Sequence, residues 1–124
     1  MTGLTVNIVG AGLAGLSAAL ELSREGISVN LISAQPSERA QSVMAEGGIN
    51  ASMNTMGDDD TIREHFEDTL KGGAYIGEVE SIEEMTSSAP FIVEDLIKLG
   101  VPFNNDNGRL VLRYFGGQKK RDRK

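Results

Sequence analysis

The chain has 124 residues, of which 40% are hydrophobic and 24% charged, and its formal net charge is −6 at pH 7. This length and composition indicate one globular domain at most, and the net negative charge argues against a general nucleic-acid or anionic-membrane surface. The absence of cysteine excludes disulfides, thiolate catalysis, iron–sulfur ligation and cysteine-type zinc sites within this chain. The longest apolar stretch, residues 13–22, is too short to span a membrane and contains Glu21.

The first three predicted elements form a βαβ unit. An apolar, β-branched run predicts a strand over residues 5–9, and helical spacing predicts a helix over residues 14–24 that Gly26 ends as a C′ glycine. A second apolar run predicts a strand over residues 28–33. Both strands have a nearly continuous apolar character, which is typical of a parallel sheet covered on both faces.

The turn between the first strand and the helix carries Gly10-x-Gly12-x-x-Gly15, which is the spacing of the dinucleotide-binding fingerprint. Gly10 permits a sharp turn, Gly12 lets a pyrophosphate approach the backbone, and Gly15 lets the helix pack closely on the strand. The N-terminus of the helix then offers unpaired N–H groups to the phosphates. The alternative is a glycine-rich turn that binds nothing, but the flanking strand and helix favour a dinucleotide site.

The end of the second strand departs from the usual fingerprint. An acid about twenty residues further on normally holds a ribose hydroxyl, whereas this sequence has Ser33 there and its nearest acid, Glu38, lies beyond Pro36. Taken alone, this weakens an NAD interpretation. A serine hydroxyl can still form a hydrogen bond with a ribose or a phosphate.

Residues 34–55 form an irregular segment rich in small polar residues, and a segment of this kind inside a compact domain is usually functional. Its centre, residues 42–51, contains the pair Gly47-Gly48, which lets the backbone approach a ligand closely. From composition alone, an ordinary surface loop remains an equally open interpretation.

An acidic turn over residues 57–61 leads into a helix predicted over residues 62–71, which begins with the capping box Thr61-x-x-Glu64. The acidic residues are expected to favour the positive end of this helix rather than to bind a metal, because adjacent side chains do not converge and calcium-loop spacing is absent. The only histidine, His65, has no nucleophile or acid beside it that suggests catalysis. We expect it to be a surface or packing residue.

The rest of the chain shows shorter patterns. The expected elements are a helix over residues 81–87, a helix over residues 88–99 with Ser88 as N-cap, Pro90 in its first turn and Gly100 at its end, an extended segment at 101–103, a turn at 104–108 and a strand at 109–115. The charged tail, residues 118–124, is expected to be a solvated, frayed terminus.

Three stretches resemble one family: Gly10-Ala-Gly-Leu-Ala-Gly15, the segment from Arg39 to Ala51, and the segment from Asp60 to Gly77. The family is the flavoprotein subunit of succinate dehydrogenase and fumarate reductase, with its relative L-aspartate oxidase. The core motif, Ala45-Glu46-Gly47-Gly48-Ile49-Asn50-Ala51, is close to the family's A-Q/E-G-G-I-N-A. Phe115-Gly116-Gly117-Gln118 also matches in order, so the resemblance covers about residues 4–120.

The resemblance implies an α/β fold: a Rossmann-like βαβ FAD-binding domain over residues 1–117, truncated before the sheet and the capping domain are complete, with a disordered tail over residues 118–124. It implies FAD rather than NAD, since the succinate dehydrogenases also carry serine at the end of the second strand. The glycine turn would hold the pyrophosphate, and residues 39–48 would wrap the flavin. The implied cofactor-binding residues are Gly10, Ala11, Gly12, Leu13, Ala14, Gly15, Ser33, Ala34, Arg39, Gln41, Ser42, Ala45, Glu46, Gly47 and Gly48.

One departure from the family concerns the attachment of the flavin. Many members bind FAD covalently through the histidine of a Ser-His-Thr triplet, and the matching triplet here is Ala40-Gln41-Ser42. Glutamine cannot form that bond, so we expect non-covalent FAD. Covalent attachment raises the flavin potential in the family, so its loss favours fumarate-type reduction or another acceptor.

The second departure is length, because family members are several times longer. Their dicarboxylate-binding and proton-delivering residues would lie beyond position 124, so the resemblance implies an inactive FAD-binding fragment of an enzyme that transfers hydride between flavin and a dicarboxylate. We expect no catalytic or metal-binding residues here and a frameshifted, prematurely ended or partial gene product. Open alternatives are an L-aspartate oxidase-type fragment, a non-enzymatic nucleotide-binding module and a gene remnant that cannot close its sheet.

The family also implies partners and a location. Besides FAD, the implied partners are a dicarboxylate substrate in a full-length protein, an iron–sulfur subunit and a membrane anchor, and no nucleic acid. The implied location is cytoplasmic, either free or at the inner face of the membrane through these subunits.

Overall fold

The computed structural model describes residues 3–45, 47–55, 57 and 59–113. The chain divides into two compact units, Met1–Gly48 and Ile49–Lys124. The first unit contains β1 (Thr5–Val9), α1 (Leu13–Arg24), β2 (Ser28–Ile32), a 3₁₀ turn (Ser37–Arg39) and the short helix α2 (Gln41–Met44). The βαβ unit predicted from the sequence is confirmed, and the bounds of its elements differ by one residue at most.

The two strands of the first unit run parallel, with Thr5 opposite Ser28 and Val9 opposite Ile32. A crossover helix is the usual connection between parallel strands. Helix α1 makes this connection and ends at Arg24. Gly26 follows as the C′ residue, and its φ of +73° is favourable for glycine. The Gly26 N–H donates to the Ser23 carbonyl at 3.0 Å and the Ile27 N–H donates to the Leu22 carbonyl at 2.9 Å, which is the Schellman pair of hydrogen bonds.

The outer face of the β1–β2 pair is more polar than the sequence interpretation allowed. Asn7 lies opposite Asn30, and the Asn30 side-chain amide donates to Asn7 Oδ1 at 2.9 Å. Both residues are exposed, and they point away from Ile8, which lies beside α1. The expectation of nearly continuous apolar strands was therefore wrong at their centres, where an amide pair joins the two strands.

The face that carries α1 is also incompletely covered. An open groove of about 820 Å³ runs between α1 and β2, with Leu16, Leu20 and Leu31 among its lining residues. These three leucines remain 36–40% exposed. Full burial of an apolar side chain is favourable by about 1.5–3 kcal/mol. Packing of further residues into the groove would therefore stabilise the first unit.

The second unit contains α3 (Ile62–Gly72), α4 (Val79–Lys98) and a two-stranded hairpin, β3 (Asn105–Asp106) and β4 (Arg109–Leu110). Helix α3 packs against α4. The N-cap half of the predicted capping box is confirmed, because Thr61 Oγ1 accepts from the Glu64 N–H at 3.2 Å. The Glu64 carboxylate turns back to the same residue but accepts from the Thr61 hydroxyl, at 3.2 Å.

The prediction of two helices over residues 81–99 was wrong. A single 20-residue helix, α4, runs through Pro90. Ser88 does not cap a new helix: its hydroxyl donates to the Glu84 carbonyl at 2.7 Å, within the helix. Packing overrides the local signal here, because α4 buries Thr86, Ala89 and Val93, and Thr86 is completely inaccessible to solvent.

The predicted strand over residues 109–115 was too long in its described part. Strand β4 ends at Leu110 and pairs with β3 across Asn107 and Gly108, whose φ values are +50° and +84°. Positive φ at both central residues matches the type I′ turn that Asn-Gly favours. Residues 114 and 115, and the predicted tail at 118–124, lie outside the described residues.

Candidate functional site

The glycine turn after β1 has the geometry that its sequence requires. Gly10 adopts φ +111°, a conformation that L side chains rarely adopt, and its N–H donates to the Ile32 carbonyl at 2.8 Å, which ties the turn to the end of β2. A Cβ added at Gly15 would lie 1.8 Å from the Gly10 carbonyl oxygen. Only glycine at position 15 therefore lets α1 begin this close to the turn.

The N-terminus of α1 faces this turn, with Gly12 as its N-cap residue and no side-chain cap from Gly12 itself. The Leu13 N–H instead donates to Ser42 Oγ at 3.2 Å. The next two amides, of Ala14 and Gly15, lie in the first turn, where no preceding carbonyl can pair with them inside the helix. These N–H groups and the positive end of the helix dipole form a suitable anion site.

The described members of the predicted cofactor site all belong to the first unit. Ser33 and Ala34 follow β2 and are exposed. Arg39 ends the 3₁₀ turn, and Gln41 and Ser42 begin α2. Ala45, Gly47 and Gly48 follow α2, and Gly48 has φ +87°. Glu46 lies outside the described residues.

The second unit buries two polar side-chain atoms that the sequence did not indicate would be unpaired. Within the described part of the chain, Ser52 Oγ and His65 Nδ1 are buried without a hydrogen-bond partner. His65 is 6% exposed, so it is a buried packing residue and not a surface residue. Burial lowers the pKa of His65 below its ordinary value of 6.5, although Asp60 and Asp68 act in the opposite direction.

The lowered pKa of His65 predicts a pH-dependent stability. The unfolded chain takes up a proton near pH 6.5, whereas the folded chain does so only at lower pH. The contribution of His65 is therefore fully present above pH 6.5 and is lost as the pH falls through the folded pKa. We expect urea unfolding at pH 7.5 and pH 5.5 to show a loss of stability on acidification that is smaller in a His65→Leu variant. An equal loss in both proteins would contradict this prediction.

The acidic turn gives no metal centre in the described chain. Asp58 lies outside the described residues, and among the remainder no three histidine, aspartate or glutamate side chains group closely enough to hold a metal ion. In the same described ranges, no helix combines the length and apolar character needed to cross a membrane.

A family model described as an FAD binding domain matches residues 5–124. The chain is 41% identical over 118 residues to the succinate dehydrogenase flavoprotein subunit of Bacillus subtilis, covering 94% of this chain and 20% of the relative. It is 44% identical over 112 residues to a mitochondrial succinate dehydrogenase flavoprotein subunit of Xenopus laevis, covering 90% of this chain and 17% of the relative. The chain thus spans about a fifth of the length of these curated relatives.

Solved structures give the same result. The apo Sdh1 complex of Mycobacterium smegmatis matches with a TM-score of 0.87 and 31% identity, over 97% of this chain and 21% of that chain. An E. coli quinol fumarate reductase with a mutated FrdA chain matches with a TM-score of 0.86 and 32% identity, over the same shares. The chain belongs to the FAD-binding domain family. Within it, the chain is a member of the succinate dehydrogenase and fumarate reductase flavoprotein family, as the sequence resemblance predicted.

The residues of the first unit fit an FAD pyrophosphate. No atom lies within 4 Å of a Cβ added at Gly10, so the turn is open on that side, whereas at Gly12 the nearest atom is Ser42 Oγ at 3.3 Å. The Ala14 and Gly15 amides offer donors without a net positive charge on the chain. The contact between Leu13 and Ser42 was not predicted, because 29 residues separate the two and no local pattern signals a bond across that interval.

Proposed function

We propose that the first unit binds FAD non-covalently, with the ADP half on the glycine turn and the flavin half against the loop that follows β2. The observation that carries the proposal is the glycine turn itself, with the Gly10 carbonyl against Gly15 and the first amides of α1 directed at the turn. In this site Gly10, Ala11, Gly12, Leu13, Ala14 and Gly15 bind the pyrophosphate, Ser33 and Ala34 contact the ribose, and Arg39, Gln41, Ser42, Ala45, Glu46, Gly47 and Gly48 surround the flavin.

The roles of the chain follow from its chemistry. Backbone N–H groups at a helix N-terminus stabilise phosphate charge by hydrogen bonds and the helix dipole, without a lysine or arginine. The Ser33 hydroxyl, whose oxygen accepts only a long 3.5 Å hydrogen bond from the Gln35 N–H, retains capacity to bond a ribose. When bound, FAD supplies a two-electron centre for hydride transfer.

Within the full-length family, this unit is the N-terminal part of a Rossmann-like FAD-binding domain, and residues 1–117 of this chain form a partial version of it. The open groove beside α1 supports this, because apolar surface of that kind is normally covered in a complete domain. The dicarboxylate, the iron–sulfur subunit and the membrane anchor belong to the full-length assembly. The 124-residue chain binds the cofactor and does not by itself turn over substrate.

Gln41 makes the attachment of FAD reversible. It begins α2 at the position that matches the flavin-linking histidine of the family, and a carboxamide is not a nucleophile of the imidazole kind. The flavin is therefore held by hydrogen bonds and packing alone.

Titration of the full chain with FAD, ADP and FMN tests the proposal. We expect FAD to bind more tightly than ADP by about tenfold or more, because the flavin adds contact area to the ADP half, and FMN to bind weakly because it lacks that half. Acid precipitation of the FAD complex is expected to leave all the flavin in the supernatant. Equal affinity for ADP and FAD would favour a nucleotide-binding module without a flavin site, and flavin in the pellet would contradict non-covalent binding.

A further inference from the structure

One side chain of the loop after β2 reaches the N-terminus of α1. Ser42 Oγ accepts the Leu13 N–H at 3.2 Å, and a Cβ added at Gly12 would lie 3.3 Å from the same oxygen. The hydroxyl is thus packed against the backbone of the glycine turn. Since Gly12 cannot cap its own helix through a side chain, Ser42 supplies the missing cap from 29 residues away.

We propose that Ser42 is the positioning residue that joins the two halves of the cofactor site before any ligand is bound. The proposal rests on the FAD function proposed above and adds a mechanical role to it. Ser42 is the second residue of α2, a helix of only four residues. A helix this short is not stable from helix propensity alone. The bond to Leu13 holds this short segment against the glycine turn, so the loop is already in its binding position before FAD arrives.

The chemistry of a hydroxyl gives the contact a second role. A serine hydroxyl can accept one hydrogen bond and donate another. Here the oxygen is engaged by Leu13, which leaves the proton to be donated to an anionic oxygen on the turn. A hydroxyl that accepts from the positive end of a helix is polarised and becomes a better donor. Ser42, at the start of the flavin-side segment, thus links the Leu13 amide to the phosphate, so that Leu13 takes part in pyrophosphate binding through this hydroxyl.

The test uses the full chain and three variants. Ser42→Ala removes the hydroxyl, Ser42→Thr keeps it, and Ser17→Ala makes the same chemical change at an exposed position of α1. We expect Ser42→Ala to weaken FAD binding by about tenfold or more, since it removes a hydrogen bond to a charged group. Ser42→Thr and Ser17→Ala are expected to bind FAD within about threefold of the unmodified chain.

Amide hydrogen exchange of the ligand-free chain gives a second readout that needs no FAD. The Leu13 amide is expected to exchange several-fold faster in Ser42→Ala than in Ser42→Thr or the unmodified chain, because it loses its acceptor. Exchange of α3 and α4 amides should stay unchanged, which distinguishes loss of this bond from general unfolding.

The two measurements distinguish failure of FAD binding from absence of the hydrogen bond between Leu13 and Ser42. Unchanged or tighter FAD binding by Ser42→Ala would overturn the proposal, and tighter binding would mean that the hydroxyl competes with the phosphate. If the unmodified chain bound no FAD, the proposed function and the donor role of Ser42 would both fail. Leu13 exchange would still show whether the capping bond exists, and equal exchange in all variants would overturn that as well.

Discussion

A Gly15→Ala variant is expected to lose FAD binding and to destabilise the first unit by about 3 kcal/mol or more. The added methyl would lie 1.8 Å from the Gly10 carbonyl oxygen and 3.0 Å from the Gly10 carbonyl carbon. Both are backbone atoms of a turn that is itself held by the bond from Gly10 to Ile32. Relief of the clash requires α1 to move away from β1, which withdraws the first-turn amides from the proposed phosphate site.

The matched control is Gly72→Ala, the same substitution at the last residue of α3. No atom lies within 4 Å of a Cβ added there, so we expect no loss of stability and a gain of up to about 1 kcal/mol from helix propensity. FAD titration and urea unfolding followed by circular dichroism measure both variants. If Gly15→Ala unfolded like the unmodified chain, the close approach of α1 to Gly10 would be refuted independently of any cofactor.

The parts of the fold that could be predicted are those set by local chemistry. Strand β1, the glycine turn and α1 follow one another within 20 residues, and each carries its own signal: β-branched residues, glycine spacing and a C′ glycine at Gly26. The cap between Thr61 and Glu64 spans a single helical turn. Family membership was predictable for a related reason, because its motifs are short and contiguous.

The parts that could not be predicted depend on residues distant in sequence or on packing. The bond between Leu13 and Ser42 links positions 29 apart, and the Asn7–Asn30 pair arises only once the strand register is fixed. Burial of His65 was open because helical spacing alone did not say how much of the α3 surface would be covered by packing. In each case the local sequence pattern was compatible with more than one arrangement, and contacts between residues distant in sequence determined the observed one.

The clearest instance is Pro90, and replacing it tests directly whether residues 79–98 form one helix or two. In a continuous α4, Pro90 has no N–H to give to the Thr86 carbonyl, and Thr86 is fully buried. A Pro90→Ala variant restores that hydrogen bond and removes the steric conflict of proline in a helix interior, which costs about 3 kcal/mol relative to alanine. The unfolded chain gains entropy when proline is lost, which offsets up to about 1 kcal/mol. We therefore expect a net gain of about 1–3 kcal/mol in the free energy of unfolding.

A Ser88→Ala variant gives a second test of whether α4 is one continuous helix or two helices with Ser88 as the N-cap of the second. If Ser88 capped a second helix, its loss would destabilise the chain by about 1 kcal/mol, and Pro90→Ala would be neutral or destabilising because proline is suited to a first turn. In the continuous helix, the Ser88 hydroxyl bonds back to the Glu84 carbonyl at 2.7 Å and to the Met85 carbonyl at 3.3 Å, and such back-bonding slightly disfavours helix. Ser88→Ala should then be neutral or weakly stabilising in urea unfolding. The two variants together decide the point: a stabilising Pro90→Ala with no loss in Ser88→Ala indicates the continuous helix, and a destabilising Ser88→Ala with no gain in Pro90→Ala indicates the interrupted one.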